Sequence, residues 1–232
     1  KPVDYLPDAK SIIVLGLHYP YALAETVGKP PAENVGPYHF YAHIIALHQL
    51  QIITFDIINF LNGKGYKAFA TFDSGDNPHP ENFWSRFSAI SAGLGEIGWC
   101  GAVLTPEYGY TQRFVSIITD AELEEDKLYE GEKLCKECFI CTENCPVGAI
   151  SKKSKIRIKV EDKVFEFGKK DRLKCEWANK FGLVGEEGPK YMGCGINILP
   201  PKKITLKSFE NAMKEIKKLD VVERLNWNLT FE

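Results

Sequence analysis

At 232 residues, with 44% hydrophobic and 26% charged side chains, the chain can bury one large core or two modest ones and has the balance of an ordinary globular protein. A net charge of −2 gives no general attraction to nucleic acid or an acidic membrane, and no apolar run reaches the roughly 18 residues that would span a bilayer. Six of the seven cysteines lie from Cys135 to Cys194, which points to metal rather than disulfide chemistry and hence to a reducing, cytoplasmic compartment. The chain begins at Lys1 rather than Met, so an export leader upstream is compatible with it.

In chain order, the β-branched run Ile12–Leu17 predicts a buried strand. Glycines and prolines from Tyr21 to Pro37 mark a long loop of the kind that lines sites. Tyr38 to Asn62 predicts the strongest helix, with an apolar face of Ile44, Leu47, Ile52, Phe55, Ile58 and Phe60 and a C-cap at Asn62-Gly63. Tyr66–Phe72 alternates as a strand, Asp73–Pro80 is a polar turn, and a second helix runs from near Pro80 to Ala92, closed by Gly93. The stretch Ala92–Gly109 (AGLGEIGWCGAVLTPEYG) holds too many glycines for a regular element. Such density admits a flat ligand or simply permits sharp turns. It is not a dinucleotide fingerprint.

Phe114–Thr119 predicts another buried strand, and Asp120–Gly131 an acidic connector. Beyond the cysteines, Ile156–Phe167 predicts a hairpin turning at Glu161-Asp162-Lys163, and Phe209, Met213, Ile216, Leu219 and Val222 recur at helical spacing in a C-terminal helix. Within Leu134–Pro146, Cys135, Cys138, Cys141 and Cys145 stand in the order C-x2-C-x2-C-x3-C-P, the iron–sulfur spacing of bacterial ferredoxins. Zinc sites usually present two separated ligand pairs, and a disulfide scaffold predicts a shorter chain with dispersed cysteines. The spacing therefore favours a [4Fe–4S] cluster.

Three segments, AGLGEIGWCGAVLTPEYG, SIITDAELEED and LCKECFICTENCPVGAI, resemble the corrinoid-dependent iron–sulfur reductases, the superfamily of epoxyqueuosine reductases and reductive dehalogenases. With PDAKSIIVLGLHYP and FDSGDNPHPENFWSRFSAISAGLGEIG, the resemblance covers roughly residues 5 to 201, and its wording is closer to the dehalogenase branch. It implies an α/β (α+β) fold: a nitroreductase-like corrinoid-binding domain over 1–125, a ferredoxin-like iron–sulfur domain over 126–204, and a C-terminal amphipathic helix over 205–232. It implies [4Fe–4S] clusters and cobalamin as cofactors, a low-potential donor such as a ferredoxin or flavodoxin, and a small-molecule substrate. The charge balance argues against nucleic acid, and the short basic runs Lys152-Lys153 and Lys202-Lys203 read as solvated faces.

The chain departs from the family at the second cluster. Cys175 and Cys194 match the family's separate cysteine and the first of a second run, but the next two positions are Asn197 and Pro201. Either two clusters persist with an unusual fourth ligand each, or one cluster takes four of the six cysteines. Cys100 does not match a ligand position. The resemblance assigns proton donation to Asp73, whose alternative is a turn cap, and an early Tyr38-His39 pair, in which His39 and His43 otherwise merely share a helix face. His39, Gly93, Gly95, Gly98, Tyr108 and Arg113 are corrinoid-side candidates, with Tyr110, Trp99 and Cys100 more remote ones; each has a structural role as its alternative. Three functions follow: a corrinoid-dependent reductase, a ferredoxin-like electron-transfer protein without corrinoid, or a protein whose cluster only staples the fold.

Overall fold

The computed structural model describes residues 1–20, 42, 45–71, 85–145, 147–181 and 198–216. The chain divides into two compact units, one of Lys1–Tyr19, Ala42–Cys138 and Arg157–Phe167, the other of Pro20–Tyr41, Phe139–Ile156 and Gly168–Glu232. The cysteine run is thereby shared, with Cys135 and Cys138 in the first unit and Cys141 and Cys145 in the second.

After the single-turn helix α1 (Pro2–Tyr5), the first unit is built on three strands, β1 (Ser11–His18), β2 (Ala68–Thr71) and β5 (Gln112–Thr119), in the order β1-β5-β2. Both outer strands run antiparallel to β5, with Ile13 opposite Ile117 and Thr71 opposite Ser116. Alternation sends successive side chains to opposite faces. Ile13, Leu15 and Ile117 pack with Ile57, Ile58 and Leu61 of helix α2 (Ala46–Gly63). Val14 and Phe114 pack instead with Ala89 and Ile90 of helix α3 (Ser85–Ser91). Between α3 and the sheet, the buried hydroxyls of Thr71, Ser85 and Ser116 satisfy one another, Ser116 Oγ donating to Ser85 Oγ at 3.2 Å and Thr71 Oγ1 to the Ser116 carbonyl at 3.0 Å.

The structure corrects two expectations about the strongest elements. The apolar run in β1 is a strand, but only half-buried, and among the described residues β1 is an outer strand of the sheet. Helix α2 forms with a different buried stripe. Ala46, Leu50, Thr54 and Leu61 face inward, whereas Ile52, Phe55 and Phe60, assigned to the core, are 64%, 66% and 64% exposed. Apolar residues sit on both sides of this helix, and the ones packed on the strands are Ile57, Ile58 and Leu61. Its predicted first turn, 38–41, lies outside the described residues.

The glycine-rich stretch is not structureless. It forms a two-stranded ribbon, β3 (Glu96–Ile97) with β4 (Val103–Leu104), and Ile97 and Val103 join the core of Ala89, Ile90 and Phe167. The second hairpin is longer than expected, β6 (Ile150–Val160) with β7 (Lys163–Lys170), and turns at Glu161-Asp162 alone, with Glu161 at φ +52° and Lys163 already in β7.

In the second unit, the single-turn helix α4 (Ile140–Glu143) carries Cys141, and α5 (Arg172–Lys180) carries Cys175. Helix α6 (Leu206–Ile216) packs on α5 through Trp177, Phe181, Phe209, Ala212 and Met213, with ring centroids 4.7 to 6.3 Å apart. Asp171 caps α5 by accepting from the Lys174 N–H, and Thr205 and Ser208 cap α6 reciprocally. Among the described residues no helix is long and apolar enough to cross a membrane.

Candidate metal centre

Cys135 is held from two sides within the first unit. Its backbone N–H donates to Glu96 Oε1 at 2.7 Å, and its Sγ accepts the backbone N–H of the buried Trp99 at 3.2 Å. Two residues on, Glu137 has φ +51° and pairs with Lys133. That hydrogen bond outweighs slight desolvation and raises the Lys133 pKa above its ordinary value, with the charges of Cys135 and Glu96 adding to it. Cys138 is exposed.

In the second unit the loop turns left-handed again at Phe139, φ +59°, which opens α4. A non-glycine residue there costs on the order of 1 kcal/mol or more, so the loop holds its curl against local preference. Cys145 Sγ accepts the Ala149 N–H at 3.2 Å, while the Gly148 N–H, at φ +55°, closes the turn onto the Cys145 carbonyl at 3.0 Å. Lys152 pairs with Glu143 at 3.0 Å and stands 4.9 Å from the Phe139 ring centroid. Cys175 is half-buried on α5.

No disulfide joins the six described cysteines, and among the described residues no three His, Cys, Asp or Glu side chains converge on a single metal ion. What the chain offers is donor chemistry: four thiols at ferredoxin spacing, two of them receiving backbone N–H groups. Amides aimed at sulfur stabilise the thiolate and tune a cluster's potential. That donor chemistry and spacing are of the kind that holds iron–sulfur clusters. The second set is less complete: Cys194 and position 197 lie outside the described residues, and Pro201 carries no side-chain donor.

The corrinoid-side candidates divide. A β-carbon at Gly93, which has φ +72°, would meet the Lys127 carbonyl oxygen at 2.0 Å, and one at Gly95 would meet that of Leu104 at 1.9 Å. One at Gly98 would lie 3.0 Å from Leu104 Cδ1. These glycines make room for the chain's own close packing. Tyr108 is 49% exposed and stacks on His18 with centroids 4.4 Å apart, and His18 Nδ1 lies 2.9 Å from the Thr111 carbonyl. Arg113 donates from Nε to the Ala42 carbonyl at 2.8 Å and stacks 5.4 Å from the Tyr19 ring centroid. His18 and Gln112 are opposite in register, as are Leu17 and Arg113, so one end of the sheet gathers His18, Tyr19, Tyr108 and Arg113. Tyr38, His39 and Asp73 lie outside the described residues.

Sequence reasoning missed Glu96 and His18. A lone carboxylate inside a glycine-rich apolar run was the available signal for Glu96. Nothing in the sequence set His18 apart from any other strand-end residue.

No protein-family model matches the chain. A tetrachloroethene reductive dehalogenase of Desulfitobacterium hafniense is 38% identical over 65 residues, 27% of this chain and 12% of that protein. An epoxyqueuosine reductase of Bacillus cereus is 28% identical over 154 residues, 64% of this chain and 38% of that protein. The chain thus spans a minor part of either relative's length. Among solved structures, a catabolic reductive dehalogenase overlays 94% of this chain and 29% of its own, with TM-score 0.56 and 19% identity. An epoxyqueuosine reductase solved with an epoxyqueuosine-modified tRNA stem loop aligns at TM-score 0.47 and 26% identity over 64% of this chain and 38% of its own. The fold is a mixed α/β one similar to that of reductive dehalogenase. The chain is similar in sequence to epoxyqueuosine reductases and reductive dehalogenases, the superfamily its motifs resemble.

Proposed function

We propose that this chain is the redox part of an iron–sulfur reductase, with a [4Fe–4S] cluster on Cys135, Cys138, Cys141 and Cys145. The observation that carries it is the ferredoxin-spaced run whose first and last sulfurs accept the Trp99 and Ala149 amides. Cys145 is proposed as fourth ligand because it completes the run, and Pro201, the last position of the second run that the resemblance implies, carries no thiol. Bound, the cluster supplies single electrons, and a corrinoid supplies the metal centre that delivers them to a small substrate. The chain's own part is to hold the thiols, to exclude water through buried Trp99, and to present Tyr108 and Arg113 to the corrinoid. Asp73 and Tyr38 are proposed as the groups that move the proton. A ferredoxin or flavodoxin is the proposed donor, and the cytoplasm the proposed compartment.

Anaerobic titration of the reconstituted chain with cobalamin tests the corrinoid half. Binding with a visible spectral shift supports the reductase. No binding leaves an electron-transfer protein, the reading that the missing thiols at 197 and 201 favour.

A further inference from the structure

We infer that Glu96 is a positioning residue for the first cluster ligand, and that the ribbon around it serves to clamp Cys135. This rests on the iron–sulfur reading and deepens it. The ribbon has only two residues per strand, and Glu96 is paired directly with Leu104. Gly95 permits that pairing, because any β-carbon there would strike the Leu104 carbonyl oxygen. The backbone on either side of Glu96 is therefore fixed, and its half-buried carboxylate accepts the Cys135 N–H at 2.7 Å. An N–H bonded to a carboxylate is a charge-assisted contact, about twice as strong as a neutral one. Three residues further on, the Trp99 N–H meets the sulfur of the same cysteine at 3.2 Å. One short piece of chain thus grips both the backbone and the thiol of Cys135. The glycine-rich motif, which reads from sequence as admitting a flat ligand or permitting sharp turns, thus also supplies this clamp.

Glu96 brings two separable properties. Its oxygen is an acceptor, which glutamine retains. Its negative charge near the ligand disfavours an added electron, which glutamine removes. The test uses the full chain reconstituted anaerobically with iron and sulfide, reading cluster loss to a chelator and the reduction potential. Partners of metal ligands typically contribute about 10–100-fold in metal affinity, so Glu96→Ala is expected to release iron at least about tenfold faster than wild type. Glu96→Gln is expected to hold iron within about twofold of wild type and to shift the reduced-to-oxidised ratio about tenfold toward reduced, 59 mV for a one-electron couple. A residue that only supports the fold would lower the melting temperature without moving the potential. Wild-type potential and release rate in both variants, or equally fast release from Gln and Ala, overturns the inference while the cluster stands. Wild-type chain that takes up no iron overturns the iron–sulfur reading, and the inference with it. Should Glu96→Ala fail to fold, the Gln variant alone decides.

Discussion

Replacing Gly95 by alanine tests the clamp from the side of packing. The new β-carbon would lie 1.9 Å from the Leu104 carbonyl oxygen and 2.9 Å from its carbon, where ordinary contact begins near 3.4 Å. The two backbones must part by about 1.5 Å, and no rotamer change relieves a clash with main chain. Parting them breaks the Glu96–Leu104 pairing and loosens Ile97 and Val103 from the core they share with Ala89, Ile90 and Phe167. Overpacking of this kind costs about 1–3 kcal/mol, and a rigid main-chain obstacle puts Gly95→Ala at the upper end. At about 2–4 °C per kcal/mol for a chain of this size, the melting temperature falls by roughly 6–12 °C. Gly109→Ala is the control, because Gly109 has φ +55° but open space around it. It loses only the conformational term, about 1 kcal/mol. Thermal unfolding followed by circular dichroism measures both. Wild-type stability in Gly95→Ala, or a larger loss in Gly109→Ala, refutes the packing argument.

Ile117 is fully buried in the central strand, so Ile117→Ala should cost about 2–5 kcal/mol in chemical denaturation, whereas Phe55→Ala on the exposed face of α2 should stay within about 0.5 kcal/mol. The raised pKa of Lys133 means that its ion pair with Glu137 contributes at and below its unfolded pKa and is lost as pH rises through the folded one. The pair is exposed and salt-screened, so Lys133→Met should cost under about 0.5 kcal/mol, equally at pH 6 and pH 9, by urea melts. With one cluster on the run, the double variant Cys175→Ser, Cys194→Ser should keep about four irons per chain by chemical analysis. Loss of iron from it would place those cysteines in the cluster.

Apolar-run and period-two signals were legible in the sequence, because each is local. Strand β5 follows from its short apolar run and the β6–β7 hairpin from alternation. The buried face of α2 was not legible. Large apolar residues sit all around that helix, so periodicity alone does not single out Ala46, Leu50, Thr54 and Leu61 as its buried residues. At Gly93 and Gly95 the closely approaching backbone is the chain's own, from Lys127 and Leu104, which no local pattern reveals. Glu96 and Cys135 are 39 residues apart, and no periodicity links them. The gathering of His18, Tyr19, Tyr108 and Arg113 depends on the register between β1 and β5, which no local pattern sets.

Iron and sulfide analysis of the anaerobically reconstituted chain, beside Cys135→Ser, Cys138→Ser, Cys141→Ser and Cys145→Ser, bears most directly on the central claim. About four irons and four sulfides per chain with a broad visible charge-transfer absorption, lost or sharply reduced in each variant, is the expected result. Iron well below one per chain in the wild type, or iron undiminished in the four variants, would contradict it.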